Sequence, residues 1–243
     1  MSNKIFEEFS GILSPQQQQR LQDGVQAMFV ERMAEEKREK AERYRRLNAM
    51  VRPHQILFVG SSLMEQFPIY ELLLDEQLPY TIYNRGIGGI TTRELLKNME
   101  PCIYDLKPDF IYINIGTNDL NEPDYTEEKL IFRYREILQG IRVHLPAAKL
   151  YLLAYYPVNA EAAKGNRWAE QALQVRTNAR IAAANAAVKL LAAEMGIEYL
   201  DLNGGITDEN GNLKAEYTIE GIHLYGNGYR PVLDALLPYL PKE

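Results

Sequence analysis

The sequence is poor in residues that staple or ligate: its 243 positions include one cysteine, Cys102, and three histidines. One thiol closes no intramolecular disulfide, and no set of Cys and His stands at metal-ligand spacing, so no metal site is expected. Cys102, beside Pro101, reads as a small buried apolar group rather than a nucleophile. Positive charge is in deficit too. With 27 Lys and Arg against 33 Asp and Glu, a formal charge of −6, the chain lacks the clustered positive field that nucleic acid or an anionic membrane surface requires. Small neutral or cationic partners stay open. No apolar run approaches the length that spans a bilayer. The opening residues MSNKIFEEFSGILSPQQQQ hold no basic segment followed by an apolar stretch, and the expected compartment is the cytoplasm.

What is present suits one sizeable core: 46% of the residues are hydrophobic, and the length favours one α/β domain, alone or with an appendage. Composition shifts near residue 52, which divides the chain into a helical extension, 1–52, and a main domain, 53–243. In the extension Ser14 and Gln17 have capping-box spacing with Pro15 at the first helical position, which predicts a helix start. Leu21, Val25, Met28 and later Tyr44, Leu47, Val51 recur at helical spacing, while Glu36/Lys40, Glu39/Arg43 and Glu42/Arg46 are i,i+4 pairs on the wet side. Pro53 is expected to end it. Packing on the main domain is the preferred reading, because the stripe lacks sustained heptads; a dimerisation arm or lid, and hence a homo-oligomer, is the alternative.

From residue 55 short apolar runs appear at QILFVG, YTIYN, DFIYINIG, KLYLLAYY and IEYLDL, separated by amphipathic stretches long enough for crossover helices. Continuous rather than alternating apolar character implies strands covered on both faces. The expected fold is therefore a three-layer α/β/α sandwich around a mostly parallel five-stranded sheet, preceded by a long N-terminal helix. Ligands of such sheets bind beyond the carboxyl ends of the strands.

Those ends read GSSL (60–63), NRGIGGITT (84–92) and GTND (116–119), and near the C-terminus comes EGIHLYGNGY (220–229). A serine hydroxyl becomes a useful nucleophile when an imidazole takes its proton, and the imidazole works best when a carboxylate fixes its tautomer. Of the three histidines, His54 precedes the first strand and belongs to the opposite rim, and His144 ends a helical segment. Only His223 lies in a glycine-rich loop with an acid, Glu220, three residues earlier. Negative charge developing on an acyl oxygen needs donors held ready, and Gly89 and Asn118 are suitable. Thr91 and Glu94 have capping-box spacing, which would pin the Gly89 turn to a helix.

The order GSSL, NRGIGG, GTND, EGIH resembles the SGNH hydrolase superfamily, also called the GDSL esterase/lipase family, over roughly residues 55 to 240. The resemblance implies a flavodoxin-like SGNH fold with Ser62 as nucleophile, His223 as general base, and an oxyanion hole of the Ser62 amide, Gly89 and Asn118. Glu220 stands where the family has the triad aspartate, Ser61 where it has aspartate before the nucleophile, and Ile90 where the second block often has aspartate. Glutamate adds a methylene, so it would orient His223 at a different angle or share that task with a backbone carbonyl. Ser61 is expected to hydrogen-bond backbone within the turn. The implied activity is hydrolysis of a small-molecule ester through an acyl-enzyme, without cofactor or metal. No long apolar lid is visible, so the acyl chain is expected to be short, with O-acetylated carbohydrate as the favoured ester. Acyl transfer to an alcohol at the same site, and a non-catalytic binding protein of the same fold, are the competing readings.

Blander readings accompany several of these residues. Ser62 has capping-box spacing to Glu65, and GIGG lacks the third glycine of a dinucleotide fingerprint and leaves a second strand rather than the first. Asp119 is expected to brace its loop through backbone hydrogen bonds. Tyr155, Tyr156, Asn159, Arg167 and Trp168, after the fourth strand, read equally as core or as a stacking platform for a flat group. TDENGNLKAEY (207–217) reads as a hairpin-like excursion with Asn210 and Gly211 at its tip, able to wall the pocket. The alanine-rich run ending at Gly196 reads as a packed helix.

Overall fold

The computed structural model describes residues 14–241. Helix α1 (Pro15–Asn48) starts at the expected reciprocal cap, Gln17 Oε1 accepting from Ser14 N and Ser14 Oγ from Gln17 N. It ends at Asn48, before Pro53 is reached. Two compact units divide within it, one ending at Lys40 and the other running from Ala41. In the first, Leu21, Val25, Met28, Phe29 and Val30 are exposed. In the second, Ala41, Tyr44 and Asn48 turn inward while Leu47 points out, so the buried face contains an asparagine where the apolar stripe would have placed a leucine. Asn48 is satisfied there, donating to Pro101 O at 2.8 Å and accepting from Arg85 Nε at 2.9 Å. Glu42 and Arg46 form the expected i,i+4 pair.

The larger unit contains five strands: β1 (Ile56–Gly60), β2 (Ile82–Asn84), β3 (Phe110–Asn114), β4 (Lys149–Leu153) and β5 (Glu198–Leu200). They pair in the order β2-β1-β3-β4-β5, every pair parallel. Helices follow the strands: α2 (Ser62–Glu65) and α3 (Ile69–Asp75) after β1, and α4 (Thr92–Leu96) and α5 (Met99–Cys102) after β2. Then come α6 (Glu127–His144) after β3, α7 (Arg167–Leu173) and α8 (Asn178–Glu194) after β4, and α9 (Gly226–Leu236) near the end.

Period-two geometry sends successive side chains to opposite faces, and here both faces are dry. Leu57, Val59, Ile111, Ile113, Leu150 and Leu152 pack with the inner faces of α6 and α8. Phe58, Ile82, Tyr112, Tyr151 and Leu153 pack with α2, α3 and α9. Leu57, Phe58 and Val59 have no accessible surface, and burying each such side chain contributes about 1.5–3 kcal/mol. That double burial is why the strands read as unbroken apolar runs. Cys102 is fully buried among them and its thiol is pushed up to about 12 by burial, as expected of a packing residue.

In this strand order the connection after β1 goes to one side of the sheet and the connection after β2 crosses to the other, opening a crevice at the carboxyl ends of β1 and β3. The segments leaving β1, β2 and β3 therefore share one rim.

Candidate active site

Strand β1 leaves the sheet through Ser61, whose N–H donates to Asn114 O at 3.3 Å. Ser62 is the first residue of α2, with Ser61 at the N-cap. Neither serine caps through its side chain. The expected backbone bond from the Ser61 hydroxyl is not made: Ser61 Oγ is buried without a partner among the described residues. Ser61 serves the turn instead through its carbonyl, which accepts from Met64 N and Glu65 N. The predicted Ser62–Glu65 capping box is also absent, because Ser62 Oγ lies 2.8 Å from His223 Nε2, while Glu65 accepts from Gly88 N–H.

His223 reaches this position by way of a sharp turn. Gly221 has φ +89°, a conformation side chains with Cβ rarely adopt, and a Cβ there would collide with the Asn159 carbonyl. Its N–H donates to Thr218 Oγ1 and its carbonyl accepts from Asn159 N. The turn folds Glu220 back so that Oε1 lies 2.5 Å from His223 Nδ1 and 3.2 Å from His223 N. The extra methylene of glutamate is thus absorbed within the turn, and among the described residues no backbone carbonyl shares Nδ1. A carboxylate only accepts, so Nδ1 carries the proton and Nε2 presents its lone pair to Ser62. Glu220 is 7% exposed; both groups are held with little freedom.

The third side of the rim carries the residues expected to be donors. Gly89 sits at φ +70°, and the turn holding it is fixed on both sides. Upstream, Tyr44 Oη donates to Gly86 O and Glu65 holds Gly88 N. Downstream, Thr91 and Glu94 form the predicted capping box at the start of α4. The N–H groups of Ser62 and Gly89 are engaged by no partner among the described residues. Asn118 Nδ2 donates to Ile90 O at 2.9 Å, which brings the amide beside Gly89 and leaves its second hydrogen uncommitted. Asp119 braces this loop as expected. It accepts from Thr92 N at 3.0 Å and from Thr92 Oγ1 and stands 3.4 Å from Arg133 Nη1; burial pushes its carboxyl above the usual range.

The aromatic segment after β4 divides. Tyr155 and Tyr156 are core, and Asn159 is buried with its amide on Leu213 O and Ala162 N. Trp168, on α7, is 52% exposed and stacks on His223, ring centroids 5.8 Å apart and planes 14° from parallel. The 207–217 excursion is hairpin-like, Thr207 bridging Leu213, and anchors on the exit of β4 through Leu213 N to Val158 O. Two residues at the site escaped the sequence: Glu65, visible only as a helix-capping partner, and Arg176, which belongs to no motif. Arg176 lies behind Asn118, Nη2 to Oδ1 at 2.9 Å.

His54 and His144 lie at the other end of the sheet. His54 Nδ1 is 2.9 Å from Asp109, and His144 stacks on Tyr104.

The sheet order is that of the α/β fold of SGNH type. The chain belongs to the GDSL-like Lipase/Acylhydrolase family, whose pattern matches residues 58–230. Among curated proteins, platelet-activating factor acetylhydrolase IB subunit alpha2 of Homo sapiens is 29% identical over 185 residues, 74% of this chain and 73% of that protein. Among solved structures, a Streptococcus pneumonia chain described as a platelet activating factor superposes with TM-score 0.80 at 32% identity, covering 90% of this chain and 99% of its own. A variant of an acetyl xylan esterase from Geobacillus stearothermophilus shares the fold, TM-score 0.55 at 18% identity over 77% of this chain and 95% of its own. The protein is a hydrolase of the esterase and acylhydrolase kind. Among the described residues no helix is long and apolar enough to cross a membrane.

Proposed function

We propose that the chain hydrolyses acetyl and other short-chain esters, O-acetylated carbohydrate foremost, through an acyl-enzyme on Ser62. Ser62 Oγ attacks the ester carbonyl as His223 Nε2 takes its proton, and Glu220 stabilises the imidazolium that forms. The carbonyl oxygen becomes an anion that the Ser62 and Gly89 N–H groups and the free Asn118 amide hydrogen receive. The C–O bond to the alcohol breaks, and His223 returns the proton to the departing oxygen. Water, deprotonated by His223, attacks the acyl-enzyme, and collapse releases the acid and restores Ser62. The observation that carries this reading is the unbroken line Glu220–His223–Ser62 at 2.5 and 2.8 Å.

Acetyl as the acyl group is supported by the names of two relatives, an acetylhydrolase and an acetyl xylan esterase. A sugar as the alcohol is supported by Trp168, an exposed indole beside the general base, where a pyranose face can stack. Hydrolysis of p-nitrophenyl acetate and acetylated sugars by wild type and Ser62→Ala tests the reading; equal rates would remove it. Product yields that rise with added acceptor alcohol would convert it to acyl transfer. A cytoplasmic location and self-association through α1 belong to the same proposal. The support for self-association is Met28, Phe29 and Val30, each more than half exposed, and light scattering of wild type against Phe29→Glu tests it.

A further inference from the structure

Arg176 is 7% exposed, and among the described residues no carboxylate lies within salt-bridge distance of it. Burying a guanidinium without a counter-ion is costly, so its partners are informative. It has two: Nη2 donates to Asn118 Oδ1 at 2.9 Å and Nε donates to Asn121 Oδ1 at 3.0 Å. Asn121 is in turn tied to Ala172 O through Nδ2 at 3.2 Å. Asp119 acts on Arg176 through space, but its oxygens are occupied by Thr92 and Arg133. Burial pulls the guanidinium down to about 10, so it remains charged at neutral pH.

An asparagine amide can face either way, and its two ends do opposite things. With Nδ2 toward the rim it donates to an oxyanion; turned over, it repels one. Arg176 has only donors and Ile90 O only accepts, so the two together permit a single orientation: Oδ1 on the guanidinium, Nδ2 on Ile90 O and the rim. A cation on Oδ1 also polarises the amide, making the free Nδ2 hydrogen a stronger donor as negative charge develops in front of it.

We propose that Arg176 is a positioning residue of the oxyanion hole: it fixes the direction of the Asn118 amide and lends it positive charge in the transition state. This rests on the hydrolase reading above. The desolvation of Arg176 is then a stability cost accepted for transition-state complementarity, as preorganised donors require. The segment 166–176 thereby touches both halves of the site, Trp168 on the base and Arg176 behind the oxyanion donor.

The test compares Arg176→Met, similar in length and neutral, with Arg176→Lys, which keeps the charge with a different fork, using p-nitrophenyl acetate. Misaligned or unpolarised donors cost about 10- to 100-fold in this setting. The expectation for Arg176→Met is a kcat fall in that range with KM within about twofold, while Arg176→Lys lies between it and wild type. Affinity for a trifluoromethyl ketone, which forms an oxyanion adduct with a serine, should fall in parallel with kcat/KM. Retention of wild-type kcat by folded Arg176→Met, or a loss confined to KM, would overturn the proposal. Should Arg176→Met fail to fold by circular dichroism, Arg176→Lys and Asn121→Ala carry the same readouts, and unchanged kcat and ketone affinity in both would overturn it. Ser62→Ala runs alongside: wild-type turnover there would sink the hydrolase reading, a failure distinct from that of Arg176.

Discussion

The two ends of the sheet carry nearly the same parts. At the amino end His54 meets Asp109 at 2.9 Å and a second imidazole, His144, stacks on Tyr104. At the carboxyl end His223 meets Glu220 at 2.5 Å and stacks on Trp168. Three differences separate them. The His54 and Asp109 side chains are 70% and 46% exposed, against 16% and 9% for His223 and Glu220. Solvent screens the first pair and leaves it free to rearrange; the second is held in one geometry. Among the described residues only the second has a hydroxyl on the remaining imidazole nitrogen, and only the second stands at the crevice between the carboxyl ends of the strands. A histidine-carboxylate pair with an aromatic neighbour is therefore not a site in itself. Its position at the crevice between strand ends, its burial and its third partner make it one.

The sharpest break in this comparison is removal of the group that only one end possesses. Ser62→Ala or His223→Ala should lower kcat by about 10⁴-fold or more, since the members of such a line act as a unit. Steady-state assay with p-nitrophenyl acetate reads it directly. Glu220→Gln should cost about 10²–10⁴-fold, because an amide neither balances the imidazolium nor enforces one tautomer; near-normal turnover would move the acid role elsewhere. Asn118→Ala should cost about 10²–10³-fold in kcat with little change in KM. Trp168→Ala should raise KM for acetylated sugars about 2- to 10-fold, the scale of one aromatic stack, and leave p-nitrophenyl acetate less affected. The smallest effect belongs to the other end. Paired His54→Ala and Asp109→Ala variants should leave kcat unchanged and shift stability by no more than about 0.5 kcal/mol in urea melts. Loss of activity there would erase the contrast between the two ends.

Much of the architecture was legible because strands buried on both faces cannot alternate in polarity, so residues 56–60 and 110–113 announce themselves as unbroken apolar runs. The rim was legible for a related reason: a chain leaving such a strand to form a turn exposes glycine and polar residues together, as at Gly60, Gly89 and Gly116. What could not be read depends on side chains meeting across long separations. Ser61 looked like a turn-bonding serine, and its hydroxyl finds no partner among the described residues. Glu65 had the spacing of a cap and was recruited instead by Gly88, 23 residues away. Trp168 and Arg176 come from a segment with no fixed motif, and nothing in their sequence neighbourhood shows that one faces His223 and the other Asn118. Local signals predicted local bonds well at Thr91–Glu94 and Ser14–Gln17. They failed where tertiary packing offered the same atoms a better partner.

The most direct measurement is covalent capture with a fluorophosphonate followed by peptide mass mapping and residual activity. The account predicts one phosphonyl group per chain, on Ser62, with activity lost in proportion to labelling and no labelling in His223→Ala. Full activity in protein labelled at Ser62, or inactivation with the phosphonyl group on a different residue, would contradict it.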